Sequence, residues 1–594
     1  MKDPVSTWLD KLAKALSQHD LGGAAALFGE ECYWRDLVAF TWTIKTFEGR
    51  DEIRAMLAAT LAATRPTGFV PLGAVATENG VTEAWFGFET VVGRGTGHLR
   101  LKNGKGWTLL TTLQELKGHE EKAGRARERG VEHGVHPDRR SWLERRRLEL
   151  EELGTARQPY VLIVGGGQGG LALAARLKRL GVPALVIEKN ERAGDSWRKR
   201  YRSLVLHDPV WYDHMPYLPY PDHWPMFTPK DKMGDWLEMY ARVMELDVWT
   251  SAKCVKADWH ESAGEWRVQV NRGGQLVILR PSQLVLATGM SGFPQMPAIP
   301  GAEMFAGHLC HSSQFDSGET WRGRNCVILG ANNSAHDIAA DLWEHGANEV
   351  TMVQRSSTVV VTSEALMEHA WGRLYSEQAL ESGVTTEVAD LTVAAVPFKL
   401  LPSFQKPIYE AIRKRDASLY EGLSQAGFLY DFGEDGSGIH STYLRRGAGY
   451  YIDVGASQLV VDGSIKLKSP AEISRIAERS VLLTDGSVLP ADLIVFATGY
   501  GPMNQWAAEL ISPEVAARVG KCWGLGSDTR HDPGPWEGEL RNMWKPTQQP
   551  GLWFMGGNLM QARHYSLYLA LQLTARYEAI PAPVYFVDEV HHRA

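Results

Sequence analysis

Cysteine is scarce and scattered: Cys32, Cys254, Cys310, Cys326 and Cys522 are the five in 594 residues, an odd number and never at CxxC spacing. This excludes a disulfide framework, a zinc ribbon and a dithiol redox centre, and it fits a reducing cytoplasm. Long apolar runs are missing too. Nothing approaches the roughly 20 residues of a membrane span, the opening MKDPVSTWLDKL lacks the apolar core of a signal peptide, and the closing VDEVHHRA is polar. The chain is therefore expected in the cytoplasm and off the membrane. Positive charge is in short supply: 63 Lys and Arg against 70 Asp and Glu leave a formal charge of -7. No domain-wide basic excess exists to neutralise phosphates, which excludes nucleic acid as a partner.

What is present describes a globular protein of several domains, because single cores stop growing well below this length. Its 21 tryptophans suit aromatic-lined cavities or interfaces, and equally core packing. The organising stretch is YVLIVGGGQGGLALAARLKRLGVPALVIEKNERAGDSW, Tyr160 to Trp197. The run Val161 to Val164 suits a strand buried on both faces. Gly165, Gly167 and Gly170 stand at GxGxxG spacing, permitting in turn the tight turn, the approach of a pyrophosphate and close helix packing. A helix is expected from Leu171 to Leu180, ended by Gly181, then a strand Ala184 to Ile187 closing on Glu188, an acid placed to accept hydrogen bonds from a ribose diol. The order marks a dinucleotide site without deciding between FAD and NAD(P).

Residues 1–118 read as a separate α+β domain. Val5, Trp8, Leu9, Leu12 and Leu16 fall at helical spacing, Asp51 is placed to cap a helix Glu52 to Thr64, and three or four strands follow, with turns at Glu78-Asn79-Gly80 and Lys102-Asn103-Gly104. Helices followed by a curved antiparallel sheet, with the CYWRDLVAFTW segment, resemble the NTF2-like (SnoaL-type) cone. Trp34, Arg35 and Asp36 could line its pocket, but Trp34 reads better as core and Arg35 with Asp36 as an ion pair. Residues 119–156 alternate acids and bases and read as a charged helical linker.

Beyond the first unit, LVLHDPVWYDHMPYLPYPDHWPMF is too rich in proline and aromatics for a regular helix and reads as an ordered loop. Its His207, Asp208, His214, Asp222 and His223 match no metal-ligand spacing, so no metal is expected. Leu284 to Gly289 and Ile494 to Tyr500 are twin strands ending in Ala-Thr-Gly, which lets backbone pass close to a cofactor. Between them Asn325 to Ala335 begins a second βαβ unit. Gly330 opens the turn and Asn332 replaces the second glycine, a residue tolerant of left-handed backbone. A helix Ala335 to His345 and a strand Val350 to Val353 follow. That strand leads to Arg355, and arginine among hydroxyls suits a 2′-phosphate, assigning NADPH to this unit.

Phe305, Gly307, His311 and Phe315 complete FxGxxxHxxxF. With two nucleotide units and paired Ala-Thr-Gly strands, residues 157–594 resemble the flavin-containing monooxygenases, a family that includes YUCCA-type indole-pyruvate enzymes and, with Trp in the last position, Baeyer-Villiger monooxygenases. The resemblance implies an α/β fold of two nested Rossmann-type domains behind the cone. Residues 157–318 and 440–594 would form the FAD domain, and 319–439 an NADPH domain with a helical insertion. It implies FAD at Gly165, Gly167, Gln168, Gly170, Glu188, Trp197, His207, Gly289, Gly499, Tyr500 and Asn558, and NADPH at Gly330, Asn332, Asn333, Ser334 and Arg355. A peroxyflavin would transfer one oxygen atom of O2 to a small organic substrate, by N- or S-oxygenation or oxidative decarboxylation. Baeyer-Villiger insertion is an alternative that Phe315 weakens, and a non-catalytic flavin sensor is an alternative of another class. His207 and His311 are the catalytic candidates. His207 stands where animal members carry an asparagine, and as a neutral imidazole it could donate the same hydrogen bond. Gly307 is expected as a hinge and His311 as a hydrogen-bonded joint. A homodimer is compatible with this reading.

Overall fold

The computed structural model describes residues 3–131, 133–525 and 538–587. The N-terminal domain opens with helices α1 (Pro4–Ser17) and α2 (Leu21–Ala26). Strands β1 (Phe28–Leu37) and β2 (Ile44–Glu48) precede helix α3 (Gly49–Thr64), and β3 (Thr67–Glu78), β4 (Val81–Glu89), β5 (Gly93–Lys102) and β6 (Lys105–Leu116) complete a sheet ordered β2-β1-β6-β5-β4-β3. The hairpin turns Asn79-Gly80 and Asn103-Gly104 have positive φ at both residues, the geometry that makes Asn-Gly favourable there. Gly95 and Gly97 lie opposite Phe88 and Phe86, and a Cβ on either would fall inside the facing ring, so glycine makes room for the aromatic core.

Four expectations for this domain need correction. Two strands interrupt the helices rather than following them, and β1 pairs parallel with β6, so the sheet is mixed. Helix α3 starts at Gly49 after Glu48, leaving Asp51 in its first turn instead of at the cap. Arg35 and Asp36 do not pair, because neighbours on a strand point to opposite faces. Asp36 is held by the Thr41 and Thr111 hydroxyls and two backbone amides, whereas Arg35 reaches Glu539. Trp34 is core as expected: fully buried, 5.1 Å from Phe40 and 5.9 Å from Phe28.

Among the described residues the expected helical linker is helical over a short 3-10 turn, Gly124–Ala126, and over α4 (Trp142–Glu152), which carries a Ser141–Glu144 capping box and docks through Arg146 on Asp247 at 2.8 Å. Strand β7 (Val161–Val164), helix α5 (Gln168–Arg179) and strand β8 (Ala184–Ile187) then begin a five-stranded parallel sheet. Its order is Leu552–Phe554, Gln283–Leu286, β7, β8, Val248–Trp249. A second five-stranded parallel sheet is ordered His308–His311, Leu493–Phe496, Asn325–Leu329, Glu349–Val353, Lys466–Lys468. The second unit is nested inside the first, but its strands reach from 308 to 496, so the 319–439 boundaries are too narrow at both ends. Strand pairing over such separations leaves no local signal.

Removing the Trp34 ring should leave a cavity in the N-terminal core: Trp34→Ala is expected to cost about 3–5 kcal/mol, read as an earlier unfolding transition in urea.

Candidate functional site

The glycine turns of the two units are built alike. Helix α5 begins at Gln168, earlier than expected, so Gly170 lies in its first turn, where a Cβ would stand 2.0 Å from the Gly165 carbonyl. Gly165 has φ +119°, and a Cβ there would sit 2.3 Å from the carbonyl oxygen of Ala287 in the first Ala-Thr-Gly segment. Gly330 has φ +132°, and its Cβ would sit 2.4 Å from the carbonyl of Ala497 in the second. Each turn thus lies against the end of its Ala-Thr-Gly strand, and any side chain would separate them. The second helix spans Asn333–Glu344, with Asn332 as N-cap at φ -102°, so its tolerance of left-handed backbone is not used.

Glu188 is buried, and its carboxylate accepts from the Gly166 amide at 2.8 Å and from the Asn190 amide and side chain at 2.8 and 2.7 Å. The acid is thus oriented across the glycine loop. Trp197 donates to the Gln168 side chain at 3.2 Å, and Asn558 caps the C-terminal helix Leu559–Tyr577 while donating to the Tyr212 hydroxyl at 3.1 Å. In the second unit the Asn333 side chain accepts from the Ile452 amide at 2.9 Å, which makes it a brace of the turn. Ser334 is half-buried, and Arg355 is exposed with no partner among the described residues.

The cofactor expectation can be tested on unsatisfied groups, which are rare in folded proteins unless a ligand or water meets them. Thr288 Oγ1, Tyr500 Oη, Asn504 Oδ1, Gln505 Oε1 and Trp506 Nε1 are buried without partners around the ends of the two Ala-Thr-Gly strands. Gly289 and Gly499, at φ +81° and +83°, both border open space. A dinucleotide with its many acceptors and donors fits this lining.

His311 is buried in the strand His308–His311. Its Nδ1 accepts from the Ser313 amide at 3.1 Å, so Nε2 carries the proton and donates to the Gly499 carbonyl at 3.1 Å. Burial first, and Arg200 with it, pull the imidazole below its ordinary value despite that carbonyl, which keeps it neutral. His311 thus ties the fingerprint strand to the second Ala-Thr-Gly turn. Gly307 is not a hinge: a Cβ there would meet the Asp492 carbonyl at 2.4 Å, so close packing is the reason for glycine.

His207 lies at the contact between the two units. Its Nε2 lies 3.4 Å from Asp337 Oδ1, on the helix of the second unit, and the other Asp337 oxygen accepts from the Tyr201 hydroxyl at 2.7 Å. Burial pulls the imidazole down, but Asp337, Asp208 and Asp453 outweigh it and the net direction is upward, favouring imidazolium over the neutral ring. Nδ1 is buried and unpartnered, the atom left for a cofactor.

Sequence reasoning missed the aromatic cluster beyond this loop. Tyr212 stacks on Trp371 at 5.6 Å and meets Tyr375 edge-on at 4.9 Å. Trp371 donates to His440 Nε2 at 3.2 Å and Tyr443 meets Tyr450 edge-on at 6.3 Å, with His440, Tyr443 and Tyr450 half-buried. Asp208 is half-buried too, with no hydrogen-bond partner among the described residues. Burial, opposed by His207, pushes it up to about 6. Arg563 is consumed by Asp390, at 2.8 Å to each oxygen, and by the carbonyls of Tyr212 and His214. The proline-rich loop itself was legible, with one short helix, Val210–Asp213, within it.

The two glycine turns, each closed against its own Ala-Thr-Gly strand, fit a protein that holds two dinucleotides. Residues 162–396 match the family model described as pyridine nucleotide-disulphide oxidoreductase. The indole-3-pyruvate monooxygenase YUCCA1 of Oryza sativa subsp. japonica is 29% identical over 366 residues, 61% of this chain and 82% of that enzyme. The probable indole-3-pyruvate monooxygenase YUCCA9 of Arabidopsis thaliana is 29% identical over 343 residues, 57% of this chain and 74% of the relative. The NADP+-bound crystal structure of cyclohexanone monooxygenase from Rhodococcus sp. Phi1 superposes with a TM-score of 0.50 at 14% identity, covering 71% of this chain and 85% of that one, which is a likeness of fold. All five cysteines are free and buried, so the disulphide chemistry in the family model's description has no dithiol here. Both relatives are monooxygenases by name, and this chain is similar to them over more than half of its length.

The His207–Asp337 pair makes a pH-dependent contribution. A raised imidazole adds stability that is fully present below its unfolded value of about 6.5 and is lost as pH rises through the folded value. Asp337→Asn should therefore lower the melting temperature more at about pH 6 than at about pH 9, and a pH-independent loss would contradict the pairing.

Proposed function

We propose that the chain oxygenates a small, uncharged or basic organic molecule at nitrogen or sulfur, using NADPH and O2. The observation that carries this reading is the electrostatics of the aromatic cluster around Tyr212, which would wall the substrate chamber. Asp208 has no hydrogen-bond partner among the described residues, Arg563 is fully engaged by Asp390 and two carbonyls, and the His207 imidazole already faces Asp337. A carboxylate substrate would therefore enter without a free counter-ion, at a desolvation cost that a neutral sulfide or an amine avoids. Oxidative decarboxylation of a 2-oxo acid, suggested by the names of the relatives, is therefore the second reading, and ketone insertion the third.

When bound, FAD reduced by NADPH activates O2, and the residues supply its surroundings. Gly165 keeps the turn tight, Gly167 and the first turn of α5 offer amides to the pyrophosphate, Glu188 is oriented for the ribose, and Trp197, Thr288, Tyr500 and Asn558 line the remaining cradle. In the second unit Gly330 keeps the turn tight, Ser334 in the first turn of its helix serves NADPH, and Arg355, which no described residue engages, serves its 2′-phosphate. His207, held by Asp337, keeps a proton between the two units. Tyr212, Trp371 and Tyr375 exclude water from the reacting face. We assign the N-terminal α+β domain to the NTF2-like class. No helix among the described residues is long and apolar enough to cross a membrane.

Product analysis over a panel of aryl amines, matched sulfides, ketones and 2-oxo acids tests the reading. N-oxides and sulfoxides are expected, and 2-oxo acid decarboxylation as the main activity would overturn it. Separately, Arg355→Ala should weaken NADPH about ten- to a hundredfold while leaving NADH unchanged; an unaltered NADPH-to-NADH ratio of flavin reduction rates removes Arg355 from the site.

A further inference from the structure

The N-terminal domain has a docked face and a filled face. Strand registers set Trp85, His98, Leu110, Arg35 and Thr46 in one cross-strand row. The opposite face carries Trp34, Phe86, Phe88, Leu99 and Leu109, all buried, so the space a cone would enclose is occupied by side chains. The row containing Arg35 packs on the flavoprotein body. Arg100 in the adjoining row donates to the Ala395 carbonyl at 2.8 Å, and Trp107 stacks on Phe404 at 6.0 Å.

Arg35 is the centre of this contact. Its guanidinium is 1% exposed and lies 4.3 Å from the Phe398 ring centroid. Nε and Nη2 donate to the two Glu539 oxygens at 2.7 and 2.9 Å, Nη1 to the Ala394 carbonyl at 2.7 Å, and Nη2 also to the Tyr565 hydroxyl at 3.1 Å. Thr46 adds a 2.8 Å bond to Glu539. Each of the three segments it joins leads to the chamber. Ala394 ends the helix Thr386–Ala394, whose Asp390 holds Arg563 and, through it, the carbonyls of Tyr212 and His214. Tyr565 is on the C-terminal helix, whose cap Asn558 holds the Tyr212 hydroxyl, and it stacks at 3.9 Å on Trp544, five residues after Glu539.

We propose that Arg35 is a positioning residue for oxygen transfer: through its clamp on Glu539, Ala394 and Tyr565 the N-terminal domain holds the chamber walls closed. This inference rests on the monooxygenase reading. In the coupled reaction NADPH, H+, O2 and substrate give NADP+, oxygenated substrate and water. In the uncoupled one NADPH, H+ and O2 give NADP+ and H2O2. Loosening the walls admits water and shifts flux from the first to the second without touching the nicotinamide side.

The test uses full-length holoenzyme as wild type, Arg35→Gln, Arg35→Lys and Tyr565→Phe, with Arg94→Gln, in an exposed ion-pair cluster of the same domain, as control. NADPH consumed, product formed and H2O2 released are measured with anaerobic flavin reduction and amide hydrogen exchange. Arg35→Gln is expected to reduce product per NADPH about threefold to tenfold with a matching rise in H2O2, while flavin reduction stays within about twofold. Arg35→Lys should recover part of the coupling, and exchange should quicken in Thr386–Ala394 and the start of Leu559–Tyr577. If Arg35→Gln does not fold, Tyr565→Phe, which removes one hydrogen bond and leaves no buried charge, must show the same shift in smaller measure. Wild-type coupling in the folded variants overturns the inference alone, whatever their melting temperatures. Wild type that consumes NADPH and oxygenates nothing in the panel overturns the monooxygenase reading, and the inference with it.

Discussion

The close approach of backbone to backbone at two glycine turns is the constraint on which the rest of this protein depends. At Gly165 and at Gly330 an added Cβ would fall within 2.4 Å of an alanine carbonyl at the end of an Ala-Thr-Gly strand. Without a side chain, the turn, the strand end and the start of the helix come together, leaving amides and partial positive charge directed at one place. Repetition of the arrangement produces two such places. Joining them is the task of His311, whose proton bridges to the Gly499 carbonyl, and of Asp337, which takes Tyr201 and His207 from the first unit onto the helix of the second.

Buried charge organises the remainder. Two guanidinium groups, Arg35 and Arg563, are almost wholly removed from water, and each is satisfied by a bidentate carboxylate together with backbone carbonyls. Such groups tolerate little displacement, because a misplaced partner strands an ion in a medium of low polarity. They therefore fix register where apolar packing alone would permit sliding. One helix, Thr386–Ala394, lies between them, so the N-terminal domain and the loop carrying His207 are mechanically connected. Asp208 and Asp213 stand in contrast: neither carboxylate has a hydrogen-bond partner among the described residues, and burial pushes both carboxyls upward, Asp208 against the pull of His207 and Asp213 against that of Arg563.

Local features were legible in proportion to how local their causes are. The strands Val161–Val164 and Ala184–Ile187 could be read to the residue because each is a short apolar run set off by glycine or a charged residue. Helix starts were misplaced by two or three residues, since the glycine loops enter the helix before the apolar pattern becomes visible. Arg35 and Asp36 were misread as a pair because the strand containing them was not recognised, and strand alternation forbids that contact. Glu539 is 504 residues from Arg35, and no pattern along the chain announces such a partner.

The sequence by itself determined the two dinucleotide units, their order, the nesting and the absence of a dithiol, because these follow from spacing, residue size and composition. Only the tertiary structure decided which charges meet. The pairing of His207 with Asp337 rather than with a neutral acceptor, the spending of Arg563 on Asp390 and the binding of the N-terminal domain through Arg35 all depend on burial and long-range approach. Electrostatic energy grows as water is excluded, so the strongest of these interactions arise only where distant segments close over one another.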